Sequence, residues 1–161
     1  MFGRKKKLKL VTPFAGTVTG VEDVPDPVFG EKMLGDGFAV VPGEQAGVVE
    51  VLAPADGKLV QVFDTAHAFA MKTSTGDVEL LVHIGLDTVE LGGEGLTALA
   101  APGDEVKAGQ PIIRADFPAI RAAGKELVTP VVFTKGKQID SFEITRGEAS
   151  ANDVVCTAQL T

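Results

Sequence analysis

Short apolar segments, each ended by a turn-forming sequence, constrain the fold of this chain more than any other feature. The turns at residues 34–37, 74–77 and 102–104 are rich in glycine, aspartate, serine and proline. Between such turns, strands are predicted at residues 9–11, 16–21, 38–41, 47–51, 57–63, 68–73, 79–84, 105–106, 111–115, 128–133 and 153–159. Only residues 117–124 have the early proline and final glycine of a short helix. The prediction is therefore an all-β chain, an antiparallel sandwich or barrel-like fold with one or two short helical turns.

A weak internal repeat suggests that the fold is built from two similar β-halves. Residues 13–21 and residues 54–62 share the pattern P-x-x-G-x-(V/L)-x-x-V. This pattern describes a turn followed by a strand, made twice, and coincidence in a glycine-rich β protein is the alternative. Because no change of composition divides the chain, residues 10–161 are predicted to form a single domain. Residues 1–9 are predicted to be a flexible basic tail.

The charge distribution limits the partners that the chain can bind. The net charge is −7, from 15 basic and 22 acidic residues, and five of the basic residues lie in the first nine positions. The rest of the chain is therefore strongly acidic, which argues against nucleic acid and favours a basic protein partner. The single cysteine, Cys156, excludes an internal disulfide and fits a reducing compartment. With no long apolar stretch either, a cytoplasmic location is predicted.

The chain has only two histidines, and the predicted hairpin brings them together. His83 interrupts the apolar run 78–84, on the strand face opposite the predicted core residues 78, 80, 82 and 84. Folding the chain about residues 75 and 76 pairs His67 with position 83 or 84. Two neutral imidazoles on an apolar surface suit phosphoryl transfer, since one nitrogen attacks phosphorus while the other ring donates a hydrogen bond. Thr65 is placed to fix the tautomer of His67. Two structural histidines are the alternative.

Other chemistry has less support. The sequence contains no G-x-S-x-G elbow, and the glycine-rich segment 92–95 lacks the lysine of a phosphate-binding loop. A zinc hydrolase needs a third ligand, for which Asp87 or Glu90 is available, but no H-E-x-x-H or H-x-H spacing is present. No metal site is therefore predicted.

Four segments carry a resemblance to a known family: 24–29 (VPDPVF), 33–37 (MLGDG), 65–69 (TAHAF) and 81–91 (LVHIGLDTVEL). From about residue 10 onwards, the chain resembles the glucose-family enzyme IIA of the bacterial phosphoenolpyruvate:sugar phosphotransferase system. The resemblance implies a β-sandwich with a shallow apolar active site. It implies that Nε2 of His83 accepts phosphate from the phosphocarrier protein HPr and passes it to the IIB domain of a glucose or N-acetylglucosamine permease. His67 would steady the phosphoryl group, and Thr65 would orient His67.

The resemblance also implies a docking surface shared by both partners. Its apolar ring comprises Val28, Phe29, Met33, Phe63, Leu81 and Val89, and its acidic rim comprises Asp26, Asp36, Asp87 and Glu90. No resident cofactor is implied beyond a transient phosphate on His83, with zinc possible only in a partner complex. Membrane association would occur only through the permease, and further regulatory protein targets are possible.

Two other functions stay open at this point. Lys72 in Ala70-Met71-Lys72, together with residues 103–110 (GDEVKAGQ), is similar to the lysine and turn motifs of biotinyl and lipoyl carrier domains. The order of the two motifs is reversed, however, and Thr73 replaces the methionine expected after the lysine. The other alternative is a zinc peptidase-like β domain built around the two histidines.

Overall fold

The computed structural model describes residues 6–161, which form strands joined mostly by tight turns. The strands are β1 (Lys7–Val11), β2 (Gly16–Gly20), β3 (Asp36–Val41), β4 (Val48–Leu52), β5 (Gly57–Val62), β6 (Ala68–Thr73), β7 (Glu79–His83), β8 (Leu96–Ala98), β9 (Glu105–Val106), β10 (Pro111–Asp116), β11 (Thr129–Phe133), β12 (Ile139–Ile144), β13 (Gly147–Ala149) and β14 (Val154–Leu160). The helices are α1 (Pro27–Gly30) and α2 (Phe117–Ala122), and short 3-10 turns lie at Val21–Asp23, Thr88–Leu91 and Gly136–Gln138.

These strands pair antiparallel in three sheets. The largest sheet has the order β13-β2-β3-β11-β7-β6-β5-β9, and two three-stranded sheets have the orders β1-β14-β12 and β4-β10-β8. Within residues 6–161 each sheet has two free edges, so none closes into a barrel. The all-β prediction is confirmed in its sandwich form, and the barrel-like form is not found.

The two predicted β-halves occupy equivalent places in the large sheet. The repeated segments form β2 and β5, each second from an edge and each paired with a short edge strand, β13 or β9. The segments that lead into these two strands exchange reciprocal hydrogen bonds. The Val11 amide donates to the Pro54 carbonyl, and the Leu52 amide donates to the Pro13 carbonyl, both at 2.8 Å. Equivalent groups bond each other in this way when two similar units face each other across a local two-fold axis.

Both helices begin with the same local chemistry. Asp116 accepts a hydrogen bond from the Ala119 amide at 3.0 Å, and Pro118 occupies the first turn of α2. The prediction of a helix over residues 117–124 is confirmed within two residues. Asp26 caps α1 similarly through the Val28 amide at 2.8 Å, next to Pro27. The sequence treats this segment only as a turn, because four residues give no helical periodicity.

Strands β8, β12 and β13 are missing from the sequence prediction. In β12 a register shift between Ile139 and Ser141 breaks the alternation of apolar and polar residues on which the prediction depends. Strands β8 and β13 have only three residues each, too few to show a period.

The predicted basic tail, residues 1–9, ends earlier than expected. Lys7, Leu8 and Lys9 belong to β1, where they pair with Gln159, Ala158 and Thr157 of β14. Leu8 is buried while both lysines are exposed, so a strand with one buried face explains the lysine-rich sequence. Residues 1–5 lie outside the described part of the chain.

The middle of the large sheet is covered on both faces. Every residue of β11 is buried: Val131 and Phe133 join the main core, while Val132 joins a smaller cluster on the other face. The residues of this small cluster are Val21, Val24, Phe29, Ala39, Leu86, Val128 and Val132, with Leu81 packed against them. It anchors α1 and the segment after β7 onto the sheet, and both of these carry predicted site residues.

The repeat generates a stability prediction at its two glycines. A Cβ atom on Gly16 would lie 2.3 Å from the Val41 carbonyl oxygen, and one on Gly57 would lie 2.2 Å from the Lys72 carbonyl oxygen. Because backbone of a neighbouring strand must move, Gly16→Ala and Gly57→Ala should each lower the free energy of unfolding by about 1–3 kcal/mol. Urea denaturation checks this.

Gly47→Ala is the matched control, since a Cβ there would meet no atom within 4 Å. Its stability should stay within about 0.5 kcal/mol of the parent protein. If the variants at Gly16 and Gly57 are as stable as the control, the close approach of the strands is not a real constraint.

Candidate functional site

His83, the last residue of β7, has one ring nitrogen committed to the backbone. Its Nδ1 lies 2.7 Å from the Gly85 carbonyl oxygen. A carbonyl oxygen only accepts, so Nδ1 carries the proton and donates it. In the neutral ring, Nε2 then holds the lone pair. The bond therefore leaves Nε2 as the nitrogen of His83 that is able to act as a nucleophile.

The Gly85 carbonyl is held in place by a backbone conformation that requires glycine. Gly85 has φ of +70°, and a Cβ there would lie 2.6 Å from the Glu126 carbonyl oxygen. The next amide, that of Leu86, donates to the same Glu126 oxygen at 3.0 Å. The peptide that orients His83 is thus fixed against the segment that leads into β11.

His67 reaches His83 from the bend just before β6. Strict alternation from Phe69 and Met71, which are buried, would point His67 into the core. Ala66 instead has φ of 56°, so the chain is not extended there and the alternation does not apply. The predicted hairpin is confirmed: the Ile84 amide donates to the His67 carbonyl at 2.7 Å, and Ala68 pairs with His83. The Thr65 hydroxyl is hydrogen-bonded to Nδ1 of His67, as predicted.

The two imidazoles are the centre of a row of four rings. His67 and His83 lie 5.1 Å apart between ring centroids, with their planes at 75°. Phe63 lies 5.1 Å from His67, and Phe29 lies 5.1 Å from His83. Each imidazole therefore contacts one phenyl ring as well as the other imidazole, which gives the pair an apolar surround.

Burial keeps both imidazoles neutral at neutral pH. It lowers the pKa of His83, against the opposing effects of the Gly85 carbonyl and the carboxylates of Asp26 and Asp87, which favour the charged ring. The pKa of His67 is lowered first by burial and then by repulsion from His83. A neutral His83 retains the lone pair that nucleophilic attack needs.

The six predicted ring residues divide into a base and an exposed edge. Phe29 is buried, and Phe63 and Leu81 are half-buried, so these three support the imidazoles. Val28, Met33 and Val89 are exposed by 40%, 70% and 52%, which leaves them free to contact a partner. The Met33 amide donates to the Val28 carbonyl at 3.0 Å, so these two form one patch.

The four predicted acidic residues differ in how free their charges are. Asp36 lies 3.3 Å from the ammonium group of Lys32, and Glu90 is paired with Lys125. Asp87 is exposed and forms no ion pair with residues 6–161, in a left-handed conformation with φ of 58°. Asp26 caps α1 and, like Asp87, lies close enough to His83 to act on its pKa.

Several contributors to the site carry no side-chain signal in the sequence. The Gly85 carbonyl oxygen binds Nδ1 of His83, and the Glu126 carbonyl oxygen accepts from the Leu86 amide. Lys32 and Lys125 reduce the free negative charge of the rim, but their partners lie four and 35 residues away. The spacing of four residues between Lys32 and Asp36 is a pattern that the sequence could show. It indicates an ion pair, however, only when residues 32–36 are known to form one turn.

The described residues give little support to the two alternative functions. Within residues 6–161, no three histidine, cysteine, aspartate or glutamate side chains converge as metal ligands would. Lys72 lies within β6, paired with Lys58 and Glu79 on the adjacent strands rather than at a hairpin tip.

Among residues 6–161, no helix has the length and apolarity that crossing a bilayer requires.

Comparison with known proteins places the chain in a family. The sequence model of one protein family, described as phosphoenolpyruvate-dependent sugar phosphotransferase system, EIIA 1, matches residues 8–139. The glucose-specific EIIA components of Staphylococcus epidermidis and Staphylococcus aureus are each 40% identical over 164 residues, covering 96% of this chain and 96% of theirs. The solved structure of glucose permease IIA from Mycoplasma capricolum is 38% identical and superimposes with a TM-score of 0.85, over 98% of this chain and 99% of that one.

The sequence match, the shared sandwich and the paired histidines lead to one assignment. This chain belongs to the EIIA 1 family of the phosphoenolpyruvate-dependent sugar phosphotransferase system.

Proposed function

We propose that the chain is a phosphohistidine carrier, which receives phosphate on Nε2 of His83 from HPr and delivers it to the IIB domain of a sugar permease. The observation that carries the proposal is the bond between Nδ1 of His83 and the Gly85 carbonyl. It leaves Nε2 as the free nucleophile beside a second neutral imidazole. Family membership supplies the class of donor and acceptor.

The transfer balances as a displacement at phosphorus. The Nε2 lone pair of His83 forms the new N–P bond, and the N–P bond of the donor's phosphohistidine breaks, leaving its electrons on the donor nitrogen. Delivery to IIB repeats the exchange with His83 as the leaving group. Both steps conserve the number of phosphoryl bonds, so the reaction needs neither water nor a resident cofactor.

His67 is proposed to steady the phosphoryl group once it is on His83 and to stabilise its oxygens during delivery to IIB. When the Thr65 hydroxyl donates to Nδ1 of His67, the proton of that ring lies on Nε2 and is available to an anionic oxygen. The ring contacts His83 edge-on at a centroid distance of 5.1 Å, so its Nε2–H lies near a phosphoryl group carried by His83. A neutral donor stabilises charge that develops in the transition state without binding the ground state too tightly.

The apolar surround is proposed to protect the phosphoramidate from water. Phe29 and Phe63 cover the outer sides of the two imidazoles. The exposed side chains of Val28, Met33 and Val89 would be covered by whichever partner is docked. Exclusion of water favours transfer between proteins over hydrolysis.

One surface would serve both partners in turn, because only one imidazole site is available for both transfers. The acidic rim favours a basic docking face on HPr and on IIB. The relatives carry glucose-specific names, and we assign a glucose-type permease, for glucose or N-acetylglucosamine, on that ground. A cytoplasmic location, with membrane contact only through the permease, follows from these partners.

Phosphorylation tests the two histidines separately. With phosphoenolpyruvate, enzyme I and HPr, the protein should acquire an acid-labile, base-stable phosphate, and His83→Ala should abolish it. His67→Gln should still accept phosphate, but it should transfer phosphate to IIB about a hundredfold more slowly, since a flexible amide replaces the ring donor that Thr65 orients. Rapid-quench measurement of the labelled protein gives both rates.

Labelling that survives His83→Ala would assign the phosphate to another residue. Equal loss of acceptance and delivery in His67→Gln would instead indicate that His67 supports the structure of the site. Mass spectrometry of the purified protein also separates this proposal from the biotinyl or lipoyl alternative, which requires a modified Lys72.

The rim charge generates a second prediction. Asp87→Asn removes the unpaired charge beside His83, and asparagine tolerates the left-handed conformation of this residue. Phosphate acceptance from HPr should slow by about threefold at low salt, and the difference should shrink as salt screens the approach of the two proteins. Stopped-flow rates over a range of ionic strength measure this.

Glu143→Gln makes the same change of net charge at an exposed position of β12, in a different sheet from the site. Its rate should match that of the parent protein at every salt concentration. An equal effect of both substitutions would show that only the total charge matters, and an effect of Asp87→Asn that is independent of salt would contradict steering by the rim.

A further inference from the structure

Both peptide groups that flank Gly85 are held by residues 126–129. The peptide that contains the Gly85 carbonyl is held through the Leu86 amide, which donates to the Glu126 carbonyl at 3.0 Å. The preceding peptide is held through the Gly85 amide, which donates to the Thr129 hydroxyl at 3.3 Å. Of these two contacts, only the one to Thr129 is made by a side chain.

The hydroxyl oxygen of Thr129 is held in position to accept the bond from the Gly85 amide. Its side chain is fully buried at the start of β11, and its hydroxyl donates to the Leu127 carbonyl at 3.0 Å. Since the single hydroxyl proton is committed there, the oxygen faces Gly85 as an acceptor. Pairing of Thr129 with Val40 in β3 fixes the backbone from which the hydroxyl extends.

We infer that Thr129 is a positioning residue for the phosphoryl transfer: its hydroxyl fixes Gly85, so that the Gly85 carbonyl holds the proton of His83 on Nδ1. The inference rests on the proposed function of His83. Thr129 lies 46 positions from His83 in sequence and belongs to another strand. It acts on the nucleophile entirely through the backbone of Gly85.

Loss of the hydroxyl has a defined consequence. Without an acceptor for its amide, the backbone of Gly85 becomes more mobile. It is already in the left-handed region, where glycine has wide conformational freedom. The carbonyl then holds Nδ1 less strictly, and neutral His83 divides between its two tautomers. Molecules with the proton on Nε2 lack the nucleophilic lone pair at the reacting atom, so the rate of phosphate acceptance falls.

Thr129→Val is the direct test, because valine keeps the shape and removes the hydroxyl. Two-dimensional ¹H–¹⁵N spectra of the imidazoles report the tautomer, and assignment is simple because the chain has two histidines. We expect neutral His83 to change from the Nδ1–H form to a mixture, and phosphate acceptance to slow by about tenfold. Thr129→Ser retains the hydroxyl and should restore the Nδ1–H form and most of the rate.

Thr73→Val is the matched control. Thr73 is also buried, and its hydroxyl donates to the Thr75 carbonyl and accepts from the Val78 amide, at the opposite end of the β6–β7 hairpin. It should therefore share the general cost of removing a buried hydroxyl without any change in the His83 tautomer. Should Thr129→Val fail to fold, Thr129→Ala removes the same hydroxyl without the branched side chain.

The possible results separate the inference from the function on which it rests. If neutral His83 keeps the Nδ1–H form in the folded variant without the hydroxyl, the inference is overturned, even if phosphorylation of the parent protein succeeds. A slower rate with an unchanged tautomer also overturns it. If the parent protein accepts no phosphate, the proposed function fails, and the tautomer spectra still decide whether Thr129 controls His83.

Discussion

The hydrogen bond from Nδ1 of His83 to the Gly85 carbonyl is the interaction on which the proposed phosphoryl transfer depends. Without it, neither nitrogen of a neutral imidazole is selected, and the apolar surroundings alone would only lower the pKa. The bond requires a turn immediately after β7, and that turn requires glycine because its Cβ position is occupied by the Glu126 carbonyl. The local chemistry of one imidazole is therefore set by the packing of the segment 126–129 against the end of a strand.

The duplicated architecture explains why a site can form in the middle of a broad sheet. The β2 half and the β5 half meet where β11 pairs with β7, and His83 ends β7 at this junction. The main core covers one face of the junction, and the small cluster around Phe29 and Val132 covers the other. Side chains at the junction are thus held by packing from both sides, while the turns that follow remain accessible to partners.

Periodicity and turn residues predicted eleven of the fourteen strands of the described chain, and the hairpin between β6 and β7 predicted that the histidines meet. The alternation from Val78 to Ile84 correctly separates the core face from the face of His83. For His67 the same rule predicts the wrong face, since the left-handed Ala66 interrupts the strand just before it. The carbonyl of Gly85, the hydroxyl of Thr129 and the pairing of Glu90 with Lys125 depend on contacts between distant segments, which a period within one strand does not encode.

The predicted docking surface illustrates the same limit. A resemblance to the family supplied all ten residues of the surface, yet it did not distinguish buried supports such as Phe29 from exposed contacts such as Met33. Nor did it show that Lys32 and Lys125 offset two of the four rim charges. Burial and ion pairing are properties of the folded chain, and they leave Asp87 as the acidic group most available to a basic partner.

The position of the phosphate on the His83 ring decides whether the bond to Gly85 selects the nucleophilic nitrogen. Long-range ¹H–¹⁵N correlation with ³¹P coupling, on ¹⁵N-labelled phosphorylated protein, distinguishes phosphate on Nε2 from phosphate on Nδ1. Because the Gly85 carbonyl occupies Nδ1, the phosphate should lie on Nε2, with Nδ1 still protonated. A phosphate found on Nδ1 would show that the bond to Gly85 does not select the nucleophile.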